Sequence, residues 1–424
     1  MEEKFADYGE VQIKQLNDRS KMYYTPNKEN NVFQLVVQYG AGEREFPKLG
    51  YAAQLMNNAG IMGAYEPQEL KEELSKLNAT CHVTADDDNL YIIMEGYEAT
   101  LPQACQLLSR QILMPKLDEK QLARLKGSAM GMRQQRKDNV SILNEALRQY
   151  MLYGEKSDYI KELTDKEIYE LQISELTGDI NRASNYEAKV FFTGTLPFDQ
   201  VYDILSKNLP LVANERPSNS PQAKEMMPVT ENTVYFLPNN DAEQAQIHLY
   251  IPMQKADKKD DVLRSAFNQY FGLDFTGIVL NEIREKRSMA YTAYAFVGTQ
   301  GIAGKASYLR GYIGTQNDKA NDALDVLMSL VNDMPKNPER IGNIKSYLRQ
   351  AMLTSHPSFR NKAMELVDLG YRGYTDDPAK ENLPKVDALT FDDHREVLRR
   401  EHQRQTYCIS IMGNPKEHRP EAAG

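Results

Sequence analysis

The chain has 424 residues, 41% of them apolar, and a formal net charge of −9. That length exceeds the about 250–300 residues at which single hydrophobic cores stop growing, so two domains are expected. The basic residues are interspersed with acids, which argues against a nucleic-acid binder, and no apolar run is long enough to span a bilayer. Cys81, Cys105 and Cys408 are widely spaced with no CxxC, so they read as small core residues and not as a disulfide framework or a zinc knot. The beginning, MEEKFADYGE, is acidic and has no apolar signal segment. Export is expected only if the chain is a fragment of a longer secreted precursor, and the compartment stays open.

The chain reads as one unit written twice. Residues 22–40, MYYTPNKENNVFQLVVQYG, resemble residues 234–252, VYFLPNNDAEQAQIHLYIP. Pro26-Asn27 matches Pro238-Asn239 and Gln34 matches Gln246, each 212 residues apart (238 − 26 and 246 − 34), half of 424. In the first copy a strand is expected over 31–38, then a helix starting near Pro47 and broken at Ala59-Gly60. A helix with Leu70, Leu74 and Leu77 on one face follows. Residues 80–85 and 90–95 read as a hairpin around Asp86-Asp87-Asp88. The next helix carries Leu101, Ala104, Leu108 and Ile112, and a later one starts with a capping box at Thr164 and Glu167. A strand over 189–193 and a helix over 198–209 complete the copy.

PSNSPQAKEMMP, residues 217–228, reads as a linker with little to bury. The expected division is therefore a first domain at 1–215, a linker at 216–230 and a second domain at 231–424. In the second copy a strand over 244–251 precedes a helix with Leu263, Phe267 and Phe271 and another running from Phe275 to Ile283. A hairpin pairs 291–297 with 306–313, a helix carries Ala323, Leu327 and Leu330, and the last strand covers 407–412. Strands joined by tight turns, alternating with helix pairs, predict an α+β fold. Each domain should be a largely antiparallel sheet with helices on one face.

Several chemistries fail on spacing. A zinc hydrolase needs two or three imidazole or carboxylate ligands and a carboxylate base. None of the six histidines (His82, His248, His356, His394, His402, His418) begins an H-x-x-E-H or an H-E-x-x-H. His394 and His402 sit in a charged stretch that reads as a solvated helix face. Cys81 and His82 would point to opposite faces of a strand. The run GTQGIAGKAS, 298–307, has Thr299 where a phosphate loop needs its first Gly and Ala306 where it needs Ser or Thr, and it joins two strands. No G-x-S-x-G is present, and Ser355-His356 has no context for a nucleophile.

What remains is the corner LNEIREKRSMAYTAYAFV, 280–297, where a helix turns into a strand. It places Arg284 on the last helical turn and Tyr291 at the strand start. The pair could hold carbonyl oxygens, although neither is a nucleophile or a base near neutral pH. An ordinary reading also exists: Arg suits a helix C-terminus, and a Tyr at a strand start is usually packing.

The two-copy plan and this corner together resemble the pitrilysin/insulinase family of inverted-zincin metallopeptidases, which includes mitochondrial processing peptidase. NEIREKRSMAYTAYAF is similar to that family's second-domain motif, in which an Arg and a Tyr seven apart bind substrate carbonyls; Arg284 and Tyr291 stand at that spacing (291 − 284). ELKEELSKLNATCHVTADDDNLYIIMEG, 69–96, looks like the family's helix-then-hairpin core. An active first domain of that family carries H-x-x-E-H on the helix after the first long strand. Here that helix reads GYAAQLMN, so Ala53 and Asn57 fall on the His positions and Met56 on the Glu, and GMRQQRK, 131–137, has no carboxylate for the third ligand.

The resemblance thus implies a chain that binds no cofactor itself, with zinc held by a partner. It implies the non-zinc half or subunit of a zinc-dependent endopeptidase acting on peptides or unfolded proteins, with a zinc-bearing homologous half or subunit as partner. The partner's zinc-bound water would attack the peptide carbonyl while Arg284 and Tyr291 bind substrate, and a substrate peptide would add as a strand to a sheet edge. The alternatives are a catalytically inactive scaffold or a peptide-binding homologue.

Overall fold

The computed structural model describes residues 4–137, 139–211, 217, 222–273, 276–393 and 406–415. Phe275, His394, His402, His418 and part of the linker lie outside the described residues.

The fold is α+β and built on two sheets. The first is formed by β1 (Gln12–Gln15), β2 (Lys21–Pro26), β3 (Val32–Tyr39), β4 (Thr80–Ala85), β5 (Leu90–Tyr97) and β6 (Ala188–Gly194), in the order β1-β2-β6-β3-β5-β4. The second is formed by β7 (Thr233–Pro238), β8 (Ala245–Lys255), β9 (Ala290–Thr299), β10 (Ala306–Thr315) and β11 (Cys408–Gly413), in the order β9-β10-β8-β11-β7. With β1 set aside the two orders coincide, and each sheet has one parallel pair, β2 with β6 and β7 with β11. The sequence repeat has a physical counterpart here. Pro26 stands opposite Gly194 and Pro238 opposite Gly413. The next residues, Asn27 and Asn239, donate their N–H groups to those glycine carbonyls at 2.7 and 2.9 Å.

The strand-helix alternation explains one face of each sheet. Phe33, Leu35, Val37, Ile92, Met94, Val190 and Phe192 point to one side of the first sheet, beneath Leu49–Met56, Leu101–Leu113 and Ile173–Ala183. Ile247, Leu249, Ala293, Ala295, Ile313 and Ile411 do the same in the second sheet, beneath Asp261–Phe271 and Ala320–Asn332. The helix expected near Pro47 begins at Leu49, because residues 43–48 form turns in which Phe46 is buried and the Leu49 N–H bonds the Phe46 carbonyl.

The opposite faces are covered crosswise. The helix Lys362–Tyr371 follows the second sheet's hairpin in sequence, yet it lays Ala363, Met364 and Val367 on Tyr23, Val36, Ile93 and Phe191 of the first sheet. The helix Val140–Tyr153, from the first half, packs Met151 and Leu152 against Tyr250 and Cys408 of the second. Met226 and Val229 join that contact, so the end of the expected linker does bury apolar surface. The crosswise contact is also polar: Asn144 Nδ2 meets His248 Nε2 at 3.0 Å, and the Tyr150 and Tyr235 rings meet edge to face at 5.7 Å. All three cysteines are free, and burial pushes the Cys81 and Cys105 thiols up to about 12, so both are inert packing residues.

Candidate functional site

The corner between the helix Ile278–Leu280 and β9 is built from irregular backbone. Residues Asn281–Glu285 form a π-helical turn, closed by the Lys286 N–H on the Asn281 carbonyl at 2.9 Å. Single π turns of this kind are frequent at functional sites. The Ser288 N–H then bonds the Arg284 carbonyl at 2.8 Å and the Met289 N–H bonds the Ile283 carbonyl at 2.9 Å. Ser288 itself is left-handed, at φ 51°. Thr315 Oγ1 donates to the Met289 carbonyl and pins the strand start to β10.

A bulge follows at once. Ala290 pairs with Thr315 and Thr292 with Gly314, so Tyr291 has no residue opposite it on β10. A bulge re-aims one side chain out of the pleat alternation. Tyr291 is 54% exposed, and among the described residues its hydroxyl has no hydrogen-bond partner.

The charges around the corner are sorted. Glu282 takes both neighbours, with Lys286 Nζ and Arg287 Nη1 each 2.6 Å from a carboxylate oxygen. The hydrogen bond from Lys286, then that from Arg287, holds the Glu282 carboxyl below its ordinary range. Among the described residues Arg284 is left with Glu285 alone, its Nε 3.6 Å from Oε1, and its side chain is 45% exposed. Arg284, Glu285, Ser288, Tyr291, Gln316 and Lys319 line one open cleft of about 350 Å³. The structure thus brings Arg284 and Tyr291 into one cleft, with Glu285 and Ser288 in the same lining.

The first half holds different chemistry at the matching helix. Ala53 and Met56 of Leu49–Met56 are each 1% exposed and belong to the core. Asn57 is a latch: its Nδ2 donates to the Val83 carbonyl at 2.9 Å, and its Oδ1 accepts from the Val83 N–H at 2.8 Å. In the segment 131–137, Arg133 pairs with Asp165 at 2.7 Å and Arg136 makes a two-pronged contact with Glu162 at 2.7 and 3.0 Å. Those carboxylates are thus held by guanidinium groups, which are not themselves metal ligands. Among the described residues no group of three His, Cys, Asp or Glu could hold a metal ion. No helix among them is long and apolar enough to cross a membrane.

The Asn57 latch has a twin that sequence reading missed. Asn268 accepts from the Val297 N–H at 2.7 Å and donates to the Val297 carbonyl at 3.0 Å. Val83 lies on β4 and Val297 on β9, the equivalent outer strands of the two sheets. The Ala295 N–H is also taken, by the Gly272 carbonyl at 3.1 Å. Strand addition was expected at a sheet edge, and at these positions the edges are already occupied. The offset 57 to 268 falls within one residue of the Pro-Asn repeat, a signal that could have exposed the second latch.

Residues 184–345, a span that holds both Arg284 and Tyr291, match the family described as peptidase M16 inactive domain. No curated protein matches the sequence. Among solved structures, the peptidase M16 inactive domain from Pseudomonas fluorescens is similar over 97% of this chain and 99% of its own, at 17% identity and TM-score 0.72. The ferredoxin protease FusC, solved in complex with Arabidopsis ferredoxin, is similar over 98% of this chain at 12% identity and TM-score 0.74. The periplasmic protease PqqL from Escherichia coli is similar over 95% at 12% identity and TM-score 0.71. The chain spans 46% of the length of each of those two proteases. The central part of the chain, with the Arg/Tyr corner, is thus similar to the peptidase M16 inactive domain, and nearly the whole chain shares the fold of such peptidase units.

Proposed function

We propose that this chain is the zinc-less half or subunit of a zinc-dependent endopeptidase, with residues 1–215 and 231–424 as its two domains. It would supply Arg284 and Tyr291 to a site whose metal is held by a homologous partner. The observation that carries this reading is the bulge at Tyr291: it turns a phenol without a partner into the same cleft as the loosely paired Arg284. A pure scaffold has no need of such a wall. The helix that would carry metal ligands instead buries Ala53 and Met56 and spends Asn57 on Val83. That two longer proteases contain this fold in 46% of their length supports a role as one half of a larger enzyme.

In this arrangement the bound zinc of the partner supplies the activated water. Arg284 and the Tyr291 hydroxyl donate hydrogen bonds to substrate carbonyl oxygens, holding the peptide and favouring the negative charge that develops on attack. Substrates are peptides or unfolded proteins.

The test is reconstitution. Cleavage of a quenched fluorescent peptide is measured with this chain alone, with a zinc-bearing homologue from the same source alone, and with both. The expected result is activity in the mixture that exceeds either component by at least tenfold and is lost with a zinc chelator. Equal activity with and without this chain would refute the role.

A further inference from the structure

We infer that Lys319 makes this cleft selective for peptides with an Asp or Glu side chain next to the carbonyl bound by Arg284 and Tyr291. The inference rests on the reading of the cleft as a peptide site and adds the class of peptide it takes.

The argument begins with which charges are already satisfied. Four cations surround the corner: Arg284, Lys286, Arg287 and Lys319. Glu282 neutralises Lys286 and Arg287 outside the cleft lining. Arg284 and Lys319 line the cleft, and Glu285 is its one acidic lining residue. That carboxylate sits on the Arg284 side, at 3.6 Å from Nε. Lys319 has only the Ser288 carbonyl oxygen, at 3.5 Å, and no carboxylate among the described residues pairs with it. The cleft therefore carries an excess positive charge located at Lys319.

Position adds to charge. Lys319 closes the turn Asn317–Lys319 and immediately precedes the 13-residue helix Ala320–Asn332, whose first-turn N–H groups contribute positive potential at that end. Its ammonium reaches the Ser288 carbonyl, between Arg284 and Tyr291 in sequence. A peptide whose main-chain carbonyl meets Arg284 and Tyr291 would thus place a neighbouring side chain at Lys319. An ammonium is a compact, strongly hydrated point charge suited to a carboxylate. Gln316, exposed on the same wall, can donate a hydrogen bond to the same group. The two-pronged fork of Arg284 remains available for the main chain.

Binding of three fluorescein-labelled decapeptides of Ala and Gly, carrying one central Asp, Asn or Lys, is measured by anisotropy at low and at 0.5 M salt (about a 4–5 Å screening length). With the full chain the Asp peptide should bind about 1.5–5-fold more tightly than the Asn peptide at low salt, the yield of one partly exposed ion pair, and the difference should shrink at high salt. Lys319→Ala should abolish the difference. Lys319→Glu, on a partly exposed side chain that folding tolerates, should reverse the ranking in favour of the Lys peptide. Arg284→Ala and Tyr291→Phe should weaken all three peptides together. If these two variants weaken all three while Lys319→Glu leaves the ranking unchanged, the assignment of Lys319 is wrong and the peptide site stands. If Arg284→Ala and Tyr291→Phe change nothing, or no peptide binds at millimolar concentration, the peptide-site reading fails and this inference fails with it.

Discussion

The Ser288 N–H donates to the Arg284 carbonyl at 2.8 Å, and this bond sets the turn that carries the chain from the cation to the phenol. Ser288 accomplishes the turn at φ 51°, a conformation that costs a residue with a Cβ roughly 1–2 kcal/mol. Ser288→Gly should therefore raise the melting temperature slightly, by relief of about 1 kcal/mol. Ser288→Pro, whose φ is locked negative, should disrupt the turn and lower reconstituted cleavage at least tenfold. Thermal melts and the peptide assay read both. A Ser288→Pro variant with full activity would show that the turn does not position the pair.

The twin latches predict a local effect. Asn57→Ala and Asn268→Ala each leave a strand N–H and carbonyl without their partners. Each should cost about 1–3 kcal/mol and raise amide exchange at Val83 and Val297 respectively. Exchange confined to the mutated half would fit two separate latches. Unchanged protection at both sites would mean that the edges are held by something else.

Restoring the motif should not restore the metal. Ala53→His, Met56→Glu and Asn57→His together place polar groups at two core positions that are each 1% exposed, and they remove the Asn57 latch. They also leave Arg133 and Arg136 where the third ligand would stand. The expected outcome is a protein destabilised by more than about 3 kcal/mol with substoichiometric zinc by elemental analysis. One equivalent of tightly bound zinc would contradict this.

The seam between Val140–Tyr153 and the second sheet should be acid-sensitive. Burial, then the Arg310 and Arg148 charges, lowers the His248 pKa from 6.5 to about 3, with Glu145 opposing. A depressed histidine binds its proton more readily when unfolded. Stability is therefore complete above about pH 6.5 and falls as pH drops from there towards 3, by up to a few kcal/mol. His248→Gln, which keeps a partner for Asn144, should flatten that part of the stability curve measured in urea. An unchanged slope would remove His248 as its source.

The sequence was most legible where local rules decide. Residues 80–85 were expected as a strand and are one, because Cys81, Val83 and Ala85 alternate with polar Thr80, His82 and Thr84 and the run ends at an Asp turn. The capping box at Thr164 and Glu167 is formed as its spacing predicts. Features set by distant partners were not visible. The bulge at Tyr291 depends on the register of β9 against β10, and no residue type at 290–292 announces it. The crosswise helices look amphipathic in sequence, but a pattern of apolar residues does not say which sheet it will meet. The π turn at Asn281–Glu285 reads as ordinary helix, since its residues suit either. Arg284 and Tyr291 were found through a spacing; the reason they face one cleft lies in that turn and that bulge.

The most direct measurement is the rate of peptide cleavage by the zinc-bearing partner mixed with wild-type chain or with the double variant Arg284→Ala, Tyr291→Phe. Removal of a donor to a developing oxyanion typically costs about 10²–10³ in rate. The double variant should lower kcat/KM by at least about 10², while this chain still assembles with its partner and the partner's zinc content is unchanged. A double variant that assembles and cleaves at the wild-type rate would contradict the account.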